Sequence, residues 1–331
     1  MNMSNQRLIQ DFNEVIFKGM DLKIKNILSR LPLTFLLGID EIRLRVNNPL
    51  MVCKMNEDFL INSHGEIVQS VQESYIVREK EIHNSLQLLS QYSLYSIEEE
   101  LSKGFITLRG GHRVGITGKV VLEGGEVKTI KYVNGLNYRV MREVKGCSRT
   151  VAQIIQRDEN DIYHTLIAGP PKSGKTTILR DLVRAFSMGN GRSGLKIGVV
   201  DERSEIAGCH RGIPQNDMGI RTDVLDCCPK GAGIINLIRS MSPQIIVTDE
   251  IGSKEDLIAI REALNAGIKM ITTVHGASME ELLNRPYIAQ MIQDKLFEKI
   301  IFLDNSNGIG TVSKVIEVNE LFKKEELEHV S

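Results

Sequence analysis

The chain has 331 residues, 41 Lys and Arg against 42 Asp and Glu, and 42% hydrophobic residues, the balance of an ordinary globular protein long enough for two domains and a sizeable core. A formal net charge of −1 supplies no global drive toward nucleic acid, and no apolar stretch approaches the roughly 18 residues needed to cross a bilayer. The polar start from Met1 to Glu14 is unlike a secretion signal, so a cytoplasmic protein is expected, any membrane contact being made through a protein partner. Five cysteines without a CxxC pair fit reduced thiols, and Cys209-His210 lacks a second pair at zinc-finger spacing, so no structural metal is expected.

In chain order, Leu8, Phe12, Val15, Ile16, Leu22, Ile24, Ile27, Leu28 and Leu31 recur at helical spacing and predict one or two amphipathic helices broken near Gly19. Glu41 to Val46 alternates polar and apolar residues as a half-buried strand does, and Asn47-Asn48-Pro49 turns into a second strand, Leu50 to Met55. Helices are expected over Glu79 to Ser90 and Ser96 to Lys103, the latter with Ser96 and Glu99 spaced as a capping box. Phe105 to Leu108, His112 to Leu122, Glu126 to Val133 and Leu136 to Val144 are strand-like, separated by Gly110-Gly111, Gly124-Gly125 and Asn134-Gly135. That pattern predicts a small antiparallel sheet with hairpin turns. The texture changes near Lys145-Gly146, which puts a smaller α+β domain at 1–148 and a second domain at 149–331.

The second domain alternates strands (Tyr163 to Ala168, Leu195 to Val200, Gln244 to Thr248, Lys269 to Val274) with helices (Thr177 to Phe186, Gly233 to Met241, Lys254 to Ala266). This is the pattern of an α/β fold, a parallel sheet with helices on both faces. Between its first strand and first helix stands Gly169-Pro170-Pro171-Lys172-Ser173-Gly174-Lys175-Thr176-Thr177, a match to the P-loop. A glycine-rich loop leaving a strand and entering a helix turns backbone N–H groups toward phosphates. Lys175 is expected on the β/γ-phosphates and Thr176 on Mg²⁺, so ATP and Mg²⁺ are the expected cofactors.

Ile245-Ile246-Val247-Thr248-Asp249-Glu250 reads as Walker B, an apolar strand ending in two carboxylates. Asp249 is expected to hold Mg²⁺, directly or through water, and Glu250 to orient the attacking water. A second strand ends in Asp201-Glu202, and Glu202 is a candidate for positioning water or metal. His275 follows the strand that ends Thr272-Thr273-Val274 and is placed to sense the γ-phosphate if that strand adjoins the P-loop strand. Hydrolysis also needs positive charge beyond Lys175; Arg113, Arg139, Arg142, Arg211 and Arg221 are candidates.

Val200-Asp201-Glu202-Arg203-Ser204-Glu205-Ile206-Ala207-Gly208, Gly219 to Asp226, Arg239-Ser240-Met241-Ser242-Pro243 and Thr273-Val274-His275-Gly276, taken with the P-loop, resemble the stage III sporulation protein AA family. Arg109 to Gly115 and Leu136 to Glu143 resemble that family's N-terminal signatures, so the likeness covers nearly the whole chain. The family is similar to the secretion ATPases of type II and type IV systems. The resemblance therefore implies a RecA-like ATPase domain in a hexameric ring, an ATP-driven motor peripheral to the membrane. It further implies membrane channel proteins of the sporulation transport complex as partners, at the mother-cell face of a channel to the forespore. It favours Arg113, Arg139 and Arg142 over the other arginines. Two departures stand out: Asp249 occupies a position usually Gly in secretion ATPases, and the tetracysteine zinc element of some of them is absent.

Two other readings compete. P-loop ATPases with this core also remodel nucleic acid, but 5% aromatic residues, no Trp and balanced charge weaken that reading, and no nucleic-acid partner is expected. A nucleotide-switched assembly scaffold that hydrolyses little is the other, and Glu250 argues against it.

Overall fold

The alternation of Glu41-Ile42-Arg43-Leu44-Arg45 becomes strand β1 (Glu41–Arg45), with Ile42 and Leu44 buried and the charged residues on the opposite face. The computed structural model describes residues 12–55, 57–91, 97–189, 193–308 and 310–322, and its contacts divide the chain into two units, Met1–Arg142 and Glu143–Ser331. The residues between this division and position 149 are tied to the second unit. Asp217 N–H donates to Glu143, Lys145 pairs with Asp217, and Gly146 and Ser148 both donate to Asp181.

In the first unit β1 is joined by β2 (Met51–Lys54), β3 (Glu57–Ile61), β4 (Ile67–Val68), β5 (Phe105–Thr107), β6 (Arg113–Glu123) and β7 (Glu126–Arg139). They form one antiparallel sheet in the order β4-β3-β2-β1-β7-β6-β5. Helices α1 (Leu22–Leu28), α2 (Leu33–Leu36), α3 (Glu79–Leu89) and α4 (Glu98–Lys103) complete it. Ile24, Leu28, Ile82 and Leu86 pack with Ile42, Leu44, Val114, Leu136 and Tyr138 into one core. Among the described residues, the stretch before α1 is a π turn, Phe12–Ile16, followed by a 3₁₀ turn, Phe17–Gly19, and not a continuous α-helix. Leu8, and Ser96 of the expected capping box, lie outside the described residues.

Asn134-Gly135 is not a turn. The two runs expected on either side of it are the single strand β7, and Gly135 pairs with Arg45 of β1 on one side and Thr117 of β6 on the other. A Cβ at Gly135 would lie 2.5 Å from Thr117 Oγ1, so glycine here permits a close three-strand approach.

The second unit contains α5 (Arg149–Ile155), β8 (Thr165–Gly169), α6 (Lys175–Met188), β9 (Ile197–Asp201), β10 (Thr222–Asp226), α7 (Lys230–Ser240), β11 (Ile245–Thr248), α8 (Lys254–Asn265), β12 (Lys269–His275), α9 (Met279–Leu283), α10 (Pro286–Gln293), β13 (Lys299–Asp304) and β14 (Thr311–Glu317). The sheet order is β10-β9-β11-β12-β8-β13-β14, parallel except for the last pair. One face packs Leu166, Ile246, Met270 and Val274 against α7, α8 and α10. The other packs Ile167, Val199, Val247 and Ile271 against α5 and α6. Helices therefore cover both faces, as the nearly continuous apolar strands require.

His164, just before β8, staples three strands: its N–H donates to Glu298 Oε2 (2.9 Å), and its Nδ1 accepts from Met270 N–H (3.3 Å). Burial, reinforced by nearby Lys269, pushes its pKa down to about 4. An unfolded histidine takes up its proton near pH 6.5, so the stability it contributes is complete above that pH and is lost as pH falls toward 4. Urea unfolding of wild type should show a loss of about 1 kcal/mol between pH 7 and pH 5, discounted for partial exposure, that His164→Gln does not share.

Candidate nucleotide site

The site is built where β8 gives way to α6. Gly169 ends the fully buried β8, and a Cβ there would meet Ser173 Oγ at 2.5 Å and the Leu303 carbonyl at 2.8 Å, so only glycine lets the loop fold back over β13. Lys172 (φ 63°) and Gly174 (φ 88°) take left-handed backbone, reversing the chain into α6. That helix opens at Lys175 with first-turn N–H groups that have no intrahelical acceptor. Pro171 and Lys172 form the exposed crest of the loop, and Thr176 and Thr177 are half-buried behind it.

Lys175 is 5% exposed. Its Nζ donates to the carbonyls of Gly169 (2.8 Å) and Pro170 (2.9 Å), and burial lowers its pKa although Glu250 pulls the other way. Ser173 Oγ, fully buried, has no partner among the described residues. A buried ammonium folded onto its own loop, an orphaned hydroxyl and a helix N-terminus fit a polyphosphate.

Strand β12 adjoins β8, with His275 in register with Gly169, and also adjoins β11, with Thr272 in register with Thr248. His275 therefore stands between the P-loop and the Walker B acids. Its Nδ1 lies 3.2 Å from Lys175 Nζ and its Nε2 2.7 Å from Glu250 Oε1. Lysine has only donors, so Nδ1 accepts and Nε2 donates to the carboxylate. Glu250 takes left-handed backbone (φ 44°), its N–H donates to Thr273 Oγ1 (2.9 Å), and its Oε2 lies 3.3 Å from an Arg203 guanidinium nitrogen.

Asp249 is 2% exposed. Burial, with the nearby Asp201 charge second, pushes its pKa up to about 7, while Lys230 lowers it. A carboxylate under that strain suits a cation. Among the described residues no group of three His, Cys, Asp or Glu is placed to hold a metal ion, so Thr176 and Asp249 would supply only part of a Mg²⁺ shell, the rest coming from phosphate and water.

The two acids at the end of β9 do different things. Asp201, fully buried, accepts the N–H groups of Glu205 (2.7 Å), Ile206 (3.0 Å) and Ala207 (2.8 Å) and so shapes the loop after β9. Glu202 forms an ion pair with Lys230 at the start of α7. Lys175, His275 and Glu250 are thus joined by direct contacts, while Glu202 pairs with Lys230.

Arg113, Arg139 and Arg142 belong to the first unit. Arg113 and Arg139 are register partners on β6 and β7. The Arg113 guanidinium sits 4.6 Å from the Phe105 ring centroid. Arg139, 63% exposed, has its Nε 3.7 Å from Glu41, and Arg142 donates to the Ile39 carbonyl (2.7 Å). Arg221 donates to the Ser187 carbonyl (3.0 Å), tying β10 to the end of α6. Sequence reasoning missed Arg203, Lys230 and Arg180, whose guanidinium holds the carbonyls of Glu205 and Ile206 (both 2.6 Å). Arg203 stands within the quoted Asp201–Gly208 segment; nothing local marks Lys230 or Arg180.

The profile of the family described as "Sporulation stage III, protein AA" matches residues 10–320. "Stage III sporulation protein AA" of Bacillus subtilis (strain 168) is 42% identical over 295 residues, covering 89% of this chain and 92% of that protein. Among solved structures, the ATPase DotB of Legionella pneumophila superposes with a TM-score of 0.60 at 14% identity, over 93% of this chain and 84% of that one. The pilus retraction motor PilT, solved with bound ADP, gives 0.58 at 14% identity, over 93% and 86%. The fold is accordingly the RecA-like one of secretion ATPases.

Asp249 provides a stability test of its role. Its charge is a cost to the folded protein above pH 7, relieved as pH falls from about 7 toward 4, because the folded pKa lies above the unfolded one. Asp249→Asn should therefore raise the melting temperature of the nucleotide-free protein at pH 8 by about 5 °C, corresponding to about 2 kcal/mol. It should also remove the further rise that Mg²⁺ adds to ATP, as read by differential scanning fluorimetry.

Proposed function

This chain belongs to the Sporulation stage III, protein AA family, and from that premise we propose that it is an ATP-hydrolysing motor. In this reading it assembles as a ring, hexameric like the secretion ATPases it resembles, and energises a transport channel between mother cell and forespore during endospore formation. The observation that carries the proposal is the contact chain Lys175, His275, Glu250, which links the P-loop to the Walker B carboxylate through one imidazole.

The residues divide the work as follows. The backbone N–H groups from Lys172 to Thr177 cradle the phosphates, Pro170 and Pro171 having none to give, and Lys175 exchanges the carbonyls of Gly169 and Pro170 for phosphate oxygens. With Lys175 withdrawn, His275 loses its donor at Nδ1 and is free to turn its Nε2–H from Glu250 to the γ-phosphate. Glu250 accepts a hydrogen bond from the attacking water and orients it in line. Thr176 and Asp249 would hold Mg²⁺, which when bound would neutralise charge developing on the phosphates. Glu202, through Lys230, sets the charge around Asp249. Arg113, Arg139 and Arg142 complement the γ-phosphate, with Arg139, the most exposed, foremost; in a ring, a neighbouring subunit can supply them. Channel proteins of the sporulation transport complex bring the motor to the inner membrane face, and nucleic acid has no part in the cycle.

ATP turnover per chain, measured across a wide range of protein concentration with and without single-stranded DNA, tests this. Turnover should climb with concentration, ignore DNA, and fall by about a hundredfold in Glu250→Gln; Arg139→Ala should lose activity at unchanged melting temperature. Turnover flat with concentration and raised by DNA would replace the motor with a nucleic-acid-dependent ATPase.

A further inference from the structure

We infer that Arg203 is the positioning residue for Glu250, an inference that rests on the hydrolytic role just proposed for that carboxylate. The two oxygens of Glu250 have different partners: Oε1 meets His275 Nε2 at 2.7 Å, and Oε2 meets Arg203 at 3.3 Å. They therefore have different fates when His275 turns toward the γ-phosphate. Oε1 is released and becomes the oxygen that takes the water, while Oε2 stays with Arg203, which keeps the freed carboxylate from rotating away from the attack line.

The backbone under Arg203 is fixed, although its side chain is 65% exposed. Ser204 N–H donates to the Asp201 carbonyl, and Ser204 takes left-handed backbone (φ 55°). The Asp201 carboxylate gathers the next three N–H groups, Ser204 Oγ accepts Cys209 N–H (2.9 Å), and Arg180 clamps the carbonyls of Glu205 and Ile206 from α6. On the other side Glu250 is pinned by its own N–H to Thr273. Arg203 and Glu250 thus face each other from two held backbones, and the only freedom left to the carboxylate is its side-chain torsions. An exposed pair of this kind contributes little to stability. Its effect lies in holding one carboxylate geometry, which misplacement of a reacting group penalises in rate.

Steady-state ATP hydrolysis with Arg203→Ala, Arg203→Lys and Glu250→Gln, each checked by melting temperature, tests the inference. Arg203→Ala should lower kcat about fivefold with KM for ATP unchanged within about twofold, and Arg203→Lys should recover most of the loss, because a single donor contacts Oε2. Unchanged or increased kcat in Arg203→Ala, with Glu250→Gln inactive, overturns the inference and leaves the proposed function standing. Wild-type turnover in Glu250→Gln overturns both. A loss expressed in KM alone, or one that lysine does not repair, assigns Arg203 to nucleotide binding and also overturns it.

Discussion

The site depends on where β12 lies. Placed between β11 and β8, it separates the P-loop strand from the Walker B strand by two strand spacings, about 10 Å, and that gap is the one a single imidazole and two side chains span from Lys175 to Glu250. The register that puts His275 beside Gly169 is enforced by burial on both faces of the sheet. Met270 and Val274 enter one core and Ile271 the other, so a slip of one residue would drive each into the wrong layer and turn His275 away.

Electrostatics at the same sheet edge follow from topology. Parallel strands deliver their carboxyl ends, and so Asp201, Asp226 and Asp249, to one side of the sheet. Asp201 is offset by three backbone donors. Asp249 has no comparable set among the described residues, and its raised pKa records the unrelieved cost. Keeping such a carboxylate buried costs the fold stability, and a cation beside it would relieve that cost. Lys230, held by Glu202, is the partial counterweight.

The first unit shows the same economy of design in a different sheet. One face is apolar and carries the core, with Tyr138 donating its hydroxyl to the Gly19 carbonyl beneath. On the other, Glu41, Arg139 and Arg113 are register partners across β1, β7 and β6. Cation–π contact with Phe105 and pairing with Glu41 hold these guanidinium groups in place.

The P-loop, the Walker B acids, His275 and the α/β texture were legible in the chain itself, because each is carried by consecutive residues or by local apolar periodicity. Even the place of His275 was conditional in the sequence on one fact, that its strand adjoins the P-loop strand, and the sheet order supplied it. Asn134-Gly135 misled for a local reason: the dipeptide has turn chemistry, but β7 has a neighbour on both sides there, and pairing on both edges outweighs turn propensity. Strands β3, β4, β10 and β14 escaped notice because they are short or sit among mixed residues without a clean period, whereas β13, Lys299-Ile300-Ile301-Phe302-Leu303-Asp304, is a buried apolar run that the pattern itself could have revealed. The contacts Arg203 with Glu250, Lys230 with Glu202 and Arg180 with the loop after β9 link residues 47, 28 and 25 to 26 positions apart. What the sequence determined is which chemical groups are present and which local elements carry them; which groups touch was decided by the tertiary structure, because strand order and register, not distance along the chain, set the few ångströms over which hydrogen bonds and charges act.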